Sequence, residues 1–500
     1  MSIFACRFPV LLPLLLGLSF SIISCQKPYV FPQEINRQLD IGMGYLVGEV
    51  NTTSAILQSR LTHGSTLTGI EGKTERLYGK LPGHQGVARF EISKQEDFDQ
   101  SYFTDWLRAD AENDFIVKVK VDNLEPNTSY YYRLVYGVNQ STTHQGSVGT
   151  FKTLADKESY NSRTIAIISC MNYDWFHNPQ WRIYDPKAQH HLGYETFETL
   201  ERIAPDYLIA TGDNVYYDKM PSNIAKSRDE LRTKYHEQFS QPRLVKFFSK
   251  VGSYWQKDDH DYRVNDSDPF GDYAPSHQLG VEMFREQLPV VAPEDKNAKT
   301  YRTYRLNKTI QIWLVEGRDY RSPNEMEDSP TKSIWGQQQK QWLKNSLLKS
   351  DATFKVLITP TPIIGPDSKG KGDNHANLKG FRHERDEFLD WLIENQLEQN
   401  FYIVTGDRHW RYHALDLATG IEEFSVGTVD ASSTHSGNGK KPLPEDKIEH
   451  PYHQSKQTGG FLLLKTLPPQ GNAGEALEYT FYHQNGKKVY QVIKTLEKSE

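Results

Sequence analysis

The sequence predicts a layered α/β core, a β-sandwich flanked by helices, preceded by a small all-β region. Three observations predict it. Period-two hydrophobic alternation runs through residues 44–153, strands alternate with helices after Thr153, and several of those later strands end in Gly-Asp, Asp-Asp or Cys.

At 500 residues the chain is too long for one typical compact unit, so two or more domains are expected. Its aromatic content of 12% is that of an ordered globular protein. The net charge of -6 is evenly spread and there is no Lys/Arg block to follow a phosphate backbone. That excludes a stable nucleic-acid complex.

Residues 1–24 read as a signal peptide. Arg7 supplies the positive charge, and the apolar run Phe8–Ile23 is short for a membrane span and interrupted by Pro9 and Pro13. Its end, Ile22-Ile23-Ser24-Cys25, resembles a bacterial lipobox, in which the Cys becomes the acylated first residue of the mature protein. The alternative is a plain signal peptide with an incidental Cys. Residues 25–42 then form a lipidated, polar tether, and the folded body is exported and anchored at a membrane through Cys25. The body would lie in the periplasm or at the cell surface, and Gln26 in place of an Asp after that Cys favours an outer-membrane site over an inner-membrane one. Of the 3 Cys, Cys6 is removed and Cys25 is acylated, so Cys170 has no partner for a disulfide.

The all-β region spans residues 43–154. Ala55–Leu61 and Phe115–Val121 alternate, Leu124-Glu-Pro-Asn127 is a turn, and Tyr130–Tyr136 reads as the strand that pairs across it. The phrase from Leu124 to Arg133 is similar to fibronectin-like domains. The α/β core spans 163–498. Its expected strands are Arg163–Cys170, Tyr207–Thr211, Gly252–Gln256, Phe354–Ile358 and, closing the series, Phe401–Thr405. The expected helices lie near Tyr194–Ile203, Ser227–Ser249, Trp335–Leu348 and Arg382–Glu394. Residues 459–464 and 479–496, with an Asn485-Gly486 turn, add late strands, and 432–457 reads as an exposed loop.

The chemistry sits at the strand ends. Tyr207–Thr211 runs into Gly212-Asp213-Asn-Val-Tyr216, Gly252–Gln256 into Asp258-Asp-His-Asp261, and Phe401–Thr405 into Gly406-Asp-Arg-His409. In layered α/β folds the carboxyl ends of the strands form one rim, so these groups converge. A strand-ending Asp is by itself usually a turn former. Several carboxylates with a thiol and imidazoles on one buried rim repel each other unless cations neutralise them, which points to metal.

Taken together, Ser169-Cys170, Gly212-Asp-x-x-Tyr216, Asp258-Asp-His-Asp261 and Gly406-Asp-x-His409 resemble the motif set of the PhoD-type alkaline phosphatases. These are metallophosphoesterases of the calcineurin-like superfamily, distantly similar to purple acid phosphatases. The resemblance implies an exported hydrolase of small-molecule phosphate esters, acting on mono- or diesters through a hydroxide held by two metal ions, and a monomer. It implies metal ligation by Cys170, Asp213, Tyr216 and His409 around Fe3+, with Asp213 bridging. Asp259, Asp407 and Asn265 would ligate a harder divalent ion such as Ca2+, with Zn2+ or Mn2+ as alternatives. His260 would protonate the leaving group, with Asp261 orienting it. Arg318 in Glu316-Gly-Arg-Asp-Tyr-Arg321, where Glu replaces the family's Asp, is a candidate for binding substrate.

The chain departs from the purple acid phosphatases in having Thr359-Pro-Thr-Pro362 where they carry a further His, and His375 is the candidate substitute. Lys369-Gly-Lys-Gly372 reads as a mobile lid rather than a P-loop. Two other functions remain open at this stage: a sulfuric-ester hydrolase on the same scaffold, and a lipid-anchored binding or adhesion protein with an inactive catalytic domain. Met171-Asn-Tyr173 after Cys170 lacks the sulfatase signature.

Overall fold

Two mixed sheets face each other across one apolar layer, and helices cover both outer faces. The computed structural model describes residues 39–69, 77–178, 189–219, 224–295, 297–367, 370–444, 446–471 and 474–495. The signal segment, Cys25, most of the tether and Lys369 lie outside the described residues. No helix among the described residues is long and apolar enough to cross a membrane.

The first sheet has nine strands and the second has seven. At the centre of the first, Thr164–Ile168, Tyr207–Thr211 and Gly252–Gln256 run parallel. In the second, Ile310–Leu314, Phe354–Thr359, Phe401–Thr405 and Glu422–Val426 do the same. These strands are buried almost throughout because both of their faces are covered. Ile165 and Ile167 point into the layer between the sheets, with Ile312, Val356, Ile358 and Val404. Ala166 and Ile168, one residue out of phase, meet Phe197 and Leu200 of helix Glu195–Ile203. On the far side, Leu357 and Ile403 meet Leu343 of helix Gly336–Leu348 and Phe388 of helix Arg382–Glu394. Helices lie between the consecutive strands of each parallel group except the last, where Glu422–Val426 follows Phe401–Thr405 by way of the antiparallel Arg411–Asp416, and the carboxyl ends face one way.

Several expectations need correction. The polar helix at 227–249 is two helices, Arg228–Phe239 and Pro242–Phe248, because Pro242 lacks the N–H needed to continue the first and opens the second. Phe401–Thr405 does not close the series: Arg411–Asp416, Glu422–Val426 and Ile448–His453 extend the second sheet. The stretch 432–457 is therefore not simply an exposed loop, and Ser432, Ser433 and Thr434 are buried.

The N-terminal region is all-β, but its strands divide between sheets. Tyr45–Gly48 pairs in parallel with Gly252–Gln256, and Ala55–Arg60 and Ile116–Val121 follow it outward, so three N-terminal strands complete the nine-stranded sheet. Ser129–Asn139 pairs with Gly86–Ser93 in a separate six-stranded sheet, not with Ile116–Val121 as expected. Phe90, Ile92, Tyr132 and Leu134 of that sheet pack on Tyr45 and Leu57. A turn at Asn127 carries the chain from one layer to the other rather than back along the same one, as in a sandwich.

Candidate metal centre

The two sheets meet at their carboxyl ends. Thr211 Oγ1 donates to the Thr359 carbonyl at 3.1 Å, and Gln256 Nε2 donates to the carbonyls of Val315 and Ile358. Two glycines permit this closeness. A Cβ on Gly406 would lie 2.5 Å from the Thr211 carbonyl oxygen, and one on Gly212, whose φ is +84°, would lie 2.7 Å from Asp258 Cβ. Just beyond the strand ends, Cys170, Asp213, Asp407 and His409 all have φ between 56° and 59°. This left-handed conformation is costly for side chains with a Cβ, and such strain gathers where a site imposes it.

Cys170, Asp213 and His409 place one ligand atom each within 4.8 Å of one another. The Cys170 thiol is 3.6 Å from Asp213 Oδ2, and the Tyr216 hydroxyl lies 3.0 Å from the same oxygen and 3.3 Å from His409 Nε2. His409 Nδ1 faces the Ser433 carbonyl at 2.7 Å. A carbonyl only accepts, so Nδ1 carries the hydrogen and the Nε2 lone pair points at Tyr216. Burial, reinforced by Asp213, pushes the Cys170 thiol well up, and the same causes raise the Tyr216 phenol. Burial and the neighbouring Asp259 raise the Asp213 carboxyl. Burial, aided by His435 stacked 5.2 Å away, brings His409 down to about 3. Burial thus opposes charge on all four, and a cation is what would draw the protons off three of them.

Asp258, Asp259 and Asp407 form a second cluster within 4.8 Å, and Asp213, Asp259 and His260 a third that links the two. Here the chain supplies positive charge. Arg318 Nε donates to Asp258 Oδ1 at 2.7 Å, and Lys371 Nζ and Arg408 Nη1 lie 3.5 and 3.4 Å from the Asp407 carboxylate. Burial opposes ionisation of Asp407, but Lys371 and Arg408 prevail and hold it at about 2. His260, Arg318 and Lys371 likewise overcome burial to keep Asp259 low.

The donor set fits two cations. The first half offers a thiol, a phenol, an imidazole and a carboxylate, suited to a trivalent or borderline ion, and the second offers oxygen only. Asp258 Oδ2 and Asp259 Oδ1 are buried and accept no hydrogen bond, which leaves lone pairs free for a cation.

Beside both halves, the His260 ring stacks on Tyr216 at 4.4 Å, its Nδ1 lies 2.7 Å from Asp218 Oδ1, and its Nε2 is 3.9 Å from Asp259 Oδ2. Asp261, expected to orient His260, does not. Its oxygens accept from the backbone N–H groups of Asn214 and Asp258 and from the Asn214 side chain, so it ties the two metal-bearing turns together. Asn265 is exposed, and its Oδ1 accepts from Lys219 rather than facing the acids. Arg318 is fully buried beneath Asp258 and donates to the Ser267 carbonyl, which removes it from the substrate's reach. Arg321 donates to the Gly317 carbonyl beside Phe381. Glu316 is bound by Lys257 at 2.7 Å. His375 is buried 3.0 Å from Glu384 and packed on Trp335, away from the rim, so it does not stand in for the missing His. Lys371 is no free lid residue, being enclosed by Asp266, Asp373 and Asp407.

Asp218, Lys371, Arg408 and Ser433 were not foreseen. Asp218 could have been, since it follows Asp213 by five residues in the same turn. Arg408 lies between two predicted ligands, Asp407 and His409, whereas Lys371 and Ser433 reach the site from segments whose approach no spacing announces.

These observations define a class, that of two-sheet proteins which gather carboxylates, imidazoles and a thiol at the meeting edge of the sheets in a way that could hold metal. Comparison with known proteins makes the assignment particular. The PhoD-like phosphatase model matches residues 165–465, and the model of the PhoD-like phosphatase N-terminal domain matches 26–155. The chain belongs to the PhoD-like phosphatase family and is a phosphoric ester hydrolase. It is 23% identical to alkaline phosphatase D of Bacillus subtilis (strain 168) over 480 residues, covering 86% of this chain and 76% of that one. Among solved structures it is similar to PhoD, with a TM-score of 0.68 at 18% identity over 93% of this chain and 90% of the other. It is also similar to the purple acid phosphatase PPD1 from yellow lupin, Lupinus luteus, with a TM-score of 0.57 at 11% identity over 90% and 74%. Both likenesses concern the fold.

Proposed function

We propose that this chain is an exported, metal-dependent phosphatase that hydrolyses small phosphate esters with two cations held on the shared rim. The observation that carries the reading is the continuous ligand array from Cys170, Asp213, Tyr216 and His409 to Asp259 and Asp407, in which Asp213 reaches both halves. Fe3+ suits the first half and Ca2+ the second, with Zn2+ or Mn2+ able to replace either by donor type. Bound there, the cations supply Lewis acidity to polarise the phosphoryl oxygens and to activate water.

The chain's own groups do the rest. His260 Nε2 turns towards the rim while Nδ1 is held by Asp218, so a protonated ring can hand its proton to the departing alkoxide. Stacking on Tyr216 fixes the ring plane, and the His260 backbone N–H points at Asp213 Oδ1 at 3.4 Å, setting one turn against the other. Asp261 holds Asn214 and Asp258 in register without touching the reacting groups.

In this reading residues 1–24 direct export, acylated Cys25 anchors the mature chain at the outer membrane, and the enzyme works as a monomer without nucleic acid. Elemental analysis of the purified protein, with ester hydrolysis assayed before and after chelation, tests the core of it. Bound iron and a divalent ion are expected, with activity lost on chelation and restored by metal. Metal-free protein that hydrolyses esters at the same rate would refute it. Cys25→Ser is expected to move the protein from the membrane to the soluble fraction.

A further inference from the structure

The acidic half of the rim already contains a cation of the chain's own making. Lys371 Nζ lies 2.9 Å from Asp266 Oδ1, 3.5 Å from Asp407 Oδ1 and 3.9 Å from Asp373 Oδ1, and only 20% of its side chain is exposed. The Asp266 N–H in turn donates to Asp259 Oδ2 at 2.6 Å. The ammonium thus bears directly on Asp407 and, through Asp266, on Asp259, the two carboxylates assigned to the second metal.

The other two cations of this half are anchored by more than carboxylates. Arg318 also donates to the Ser267 carbonyl and Arg408 to that of Pro366, so both are built into the scaffold. Among the described residues, Lys371 is held by its ion pairs with Asp266, Asp373 and Asp407. A lysine is a compact point charge on a flexible stem, able to exchange with a metal ion where a forked guanidinium is not. An ammonium and a divalent ion bound to the same Asp407 carboxylate would repel each other across a few ångströms.

We propose that Lys371 is a tethered counter-cation that holds the Asp259–Asp407 half in the metal-free protein and competes with the divalent ion for it. The inference rests on the metal-dependent reading above and deepens it. Loading of the second site is then an exchange of one cation for another, and its apparent affinity is set by the lysine as well as by the ligands. The Cys170 half, which Lys371 does not contact, is outside this competition.

Calorimetric titration of chelator-stripped protein with Ca2+, and in parallel with Mn2+, compares the native chain with K371M and K371R. K371M is expected to bind at least about tenfold more tightly, the scale set by removing one nearby unit charge. K371R, which keeps the charge, is expected to bind no more tightly than the native chain. Metal-free K371M should melt at a lower temperature than the native protein and recover on adding Ca2+. A measurement without mutation guards against misfolding of K371M. Acetylation of Lys371 by an amine-reactive ester, followed by peptide mass mapping, should rise several-fold when Ca2+ is added to native protein. Equal affinities in native and K371M protein, or acetylation unchanged by bound Ca2+, would overturn the inference and leave the metal-dependent reading standing. Failure of native protein and K371M alike to take up any divalent ion would overturn both.

Discussion

The two halves of the rim solve the same electrostatic problem differently. Around Cys170, Asp213, Tyr216 and His409 no Lys or Arg forms an ion pair among the described residues, and protonation keeps the groups neutral. Around Asp258, Asp259 and Asp407, three side-chain cations stand within 4 Å of the carboxylates, and Asp259 and Asp407 remain ionised. One half therefore awaits a cation from outside, while the other is pre-charged and holds its shape without one. Counter-charges outweigh burial at Asp259 and Asp407, whereas at Asp258 burial prevails over Arg318 and pushes the carboxyl up.

The contrast can be broken most directly at Asp213, which clusters with Cys170 and His409 on one side and with Asp259 on the other. Asp213→Asn is expected to lower kcat/KM by about 10^3- to 10^4-fold, the several kcal/mol that metal-borne charge stabilisation supplies. Bound metal should fall at the same time, and full activity with native metal content would show that the halves are not joined there. Next comes Arg318→Ala, which leaves Asp258 buried without its partner and should cost about 3–5 kcal/mol in denaturant unfolding. A loss confined to substrate affinity, with stability unchanged, would return Arg318 to the substrate site.

A smaller effect is expected at Asp218. Asp218→Asn should reduce kcat by about ten- to a hundredfold, as removal of a histidine's outer partner does, and shift the alkaline limb of the pH–rate profile, where a proton donor loses its proton. Asp261→Asn should leave that limb in place while lowering stability. The mildest test is the pH dependence of metal binding. Cys170, Tyr216 and Asp213 have raised pKa values and must lose protons to ligate, so affinity at their half should climb with pH, by up to about tenfold per unit for each proton released. Asp259 and Asp407 are held low and are already ionised, so divalent affinity at their half should be nearly flat between about pH 6 and 9. Equal slopes at the two halves would erase the comparison.

What was legible in the sequence follows from where the residues sit. Cys170, Asp213, Tyr216, Asp259, His260, Asp407 and His409 lie at or just past the ends of apolar strands, and the parallel arrangement of those strands brings them together. Their convergence could be argued from hydrophobic runs and Gly-Asp endings alone. Partners chosen by long-range approach could not be. His260 meets Asp218, not the adjacent Asp261, because the turn that follows Asp259 points the Asp261 side chain back under Asn214. Arg318 and His375 have residue types suited to binding phosphate, but burial has paired them with Asp258 and Glu384. In the N-terminal region alternation located the strands. It could not say which sheet each would join, since a period of two fixes which face is buried and not the neighbour.

The pairing of Tyr45–Gly48 with Gly252–Gln256 has a practical corollary. The strand that carries Asp258 and Asp259 at its end has Tyr207–Thr211 on one flank and a segment from the first fifty residues on the other. Cutting the chain near residue 155 to isolate the hydrolase would strip that flank and bare the edge of Gly252–Gln256, where Gly252 and Ser253 pair with Val47 and Gly48. Such a fragment should self-associate through the bared edge. The stretch that looks like a detachable module is the outer wall of the sheet on which catalysis depends.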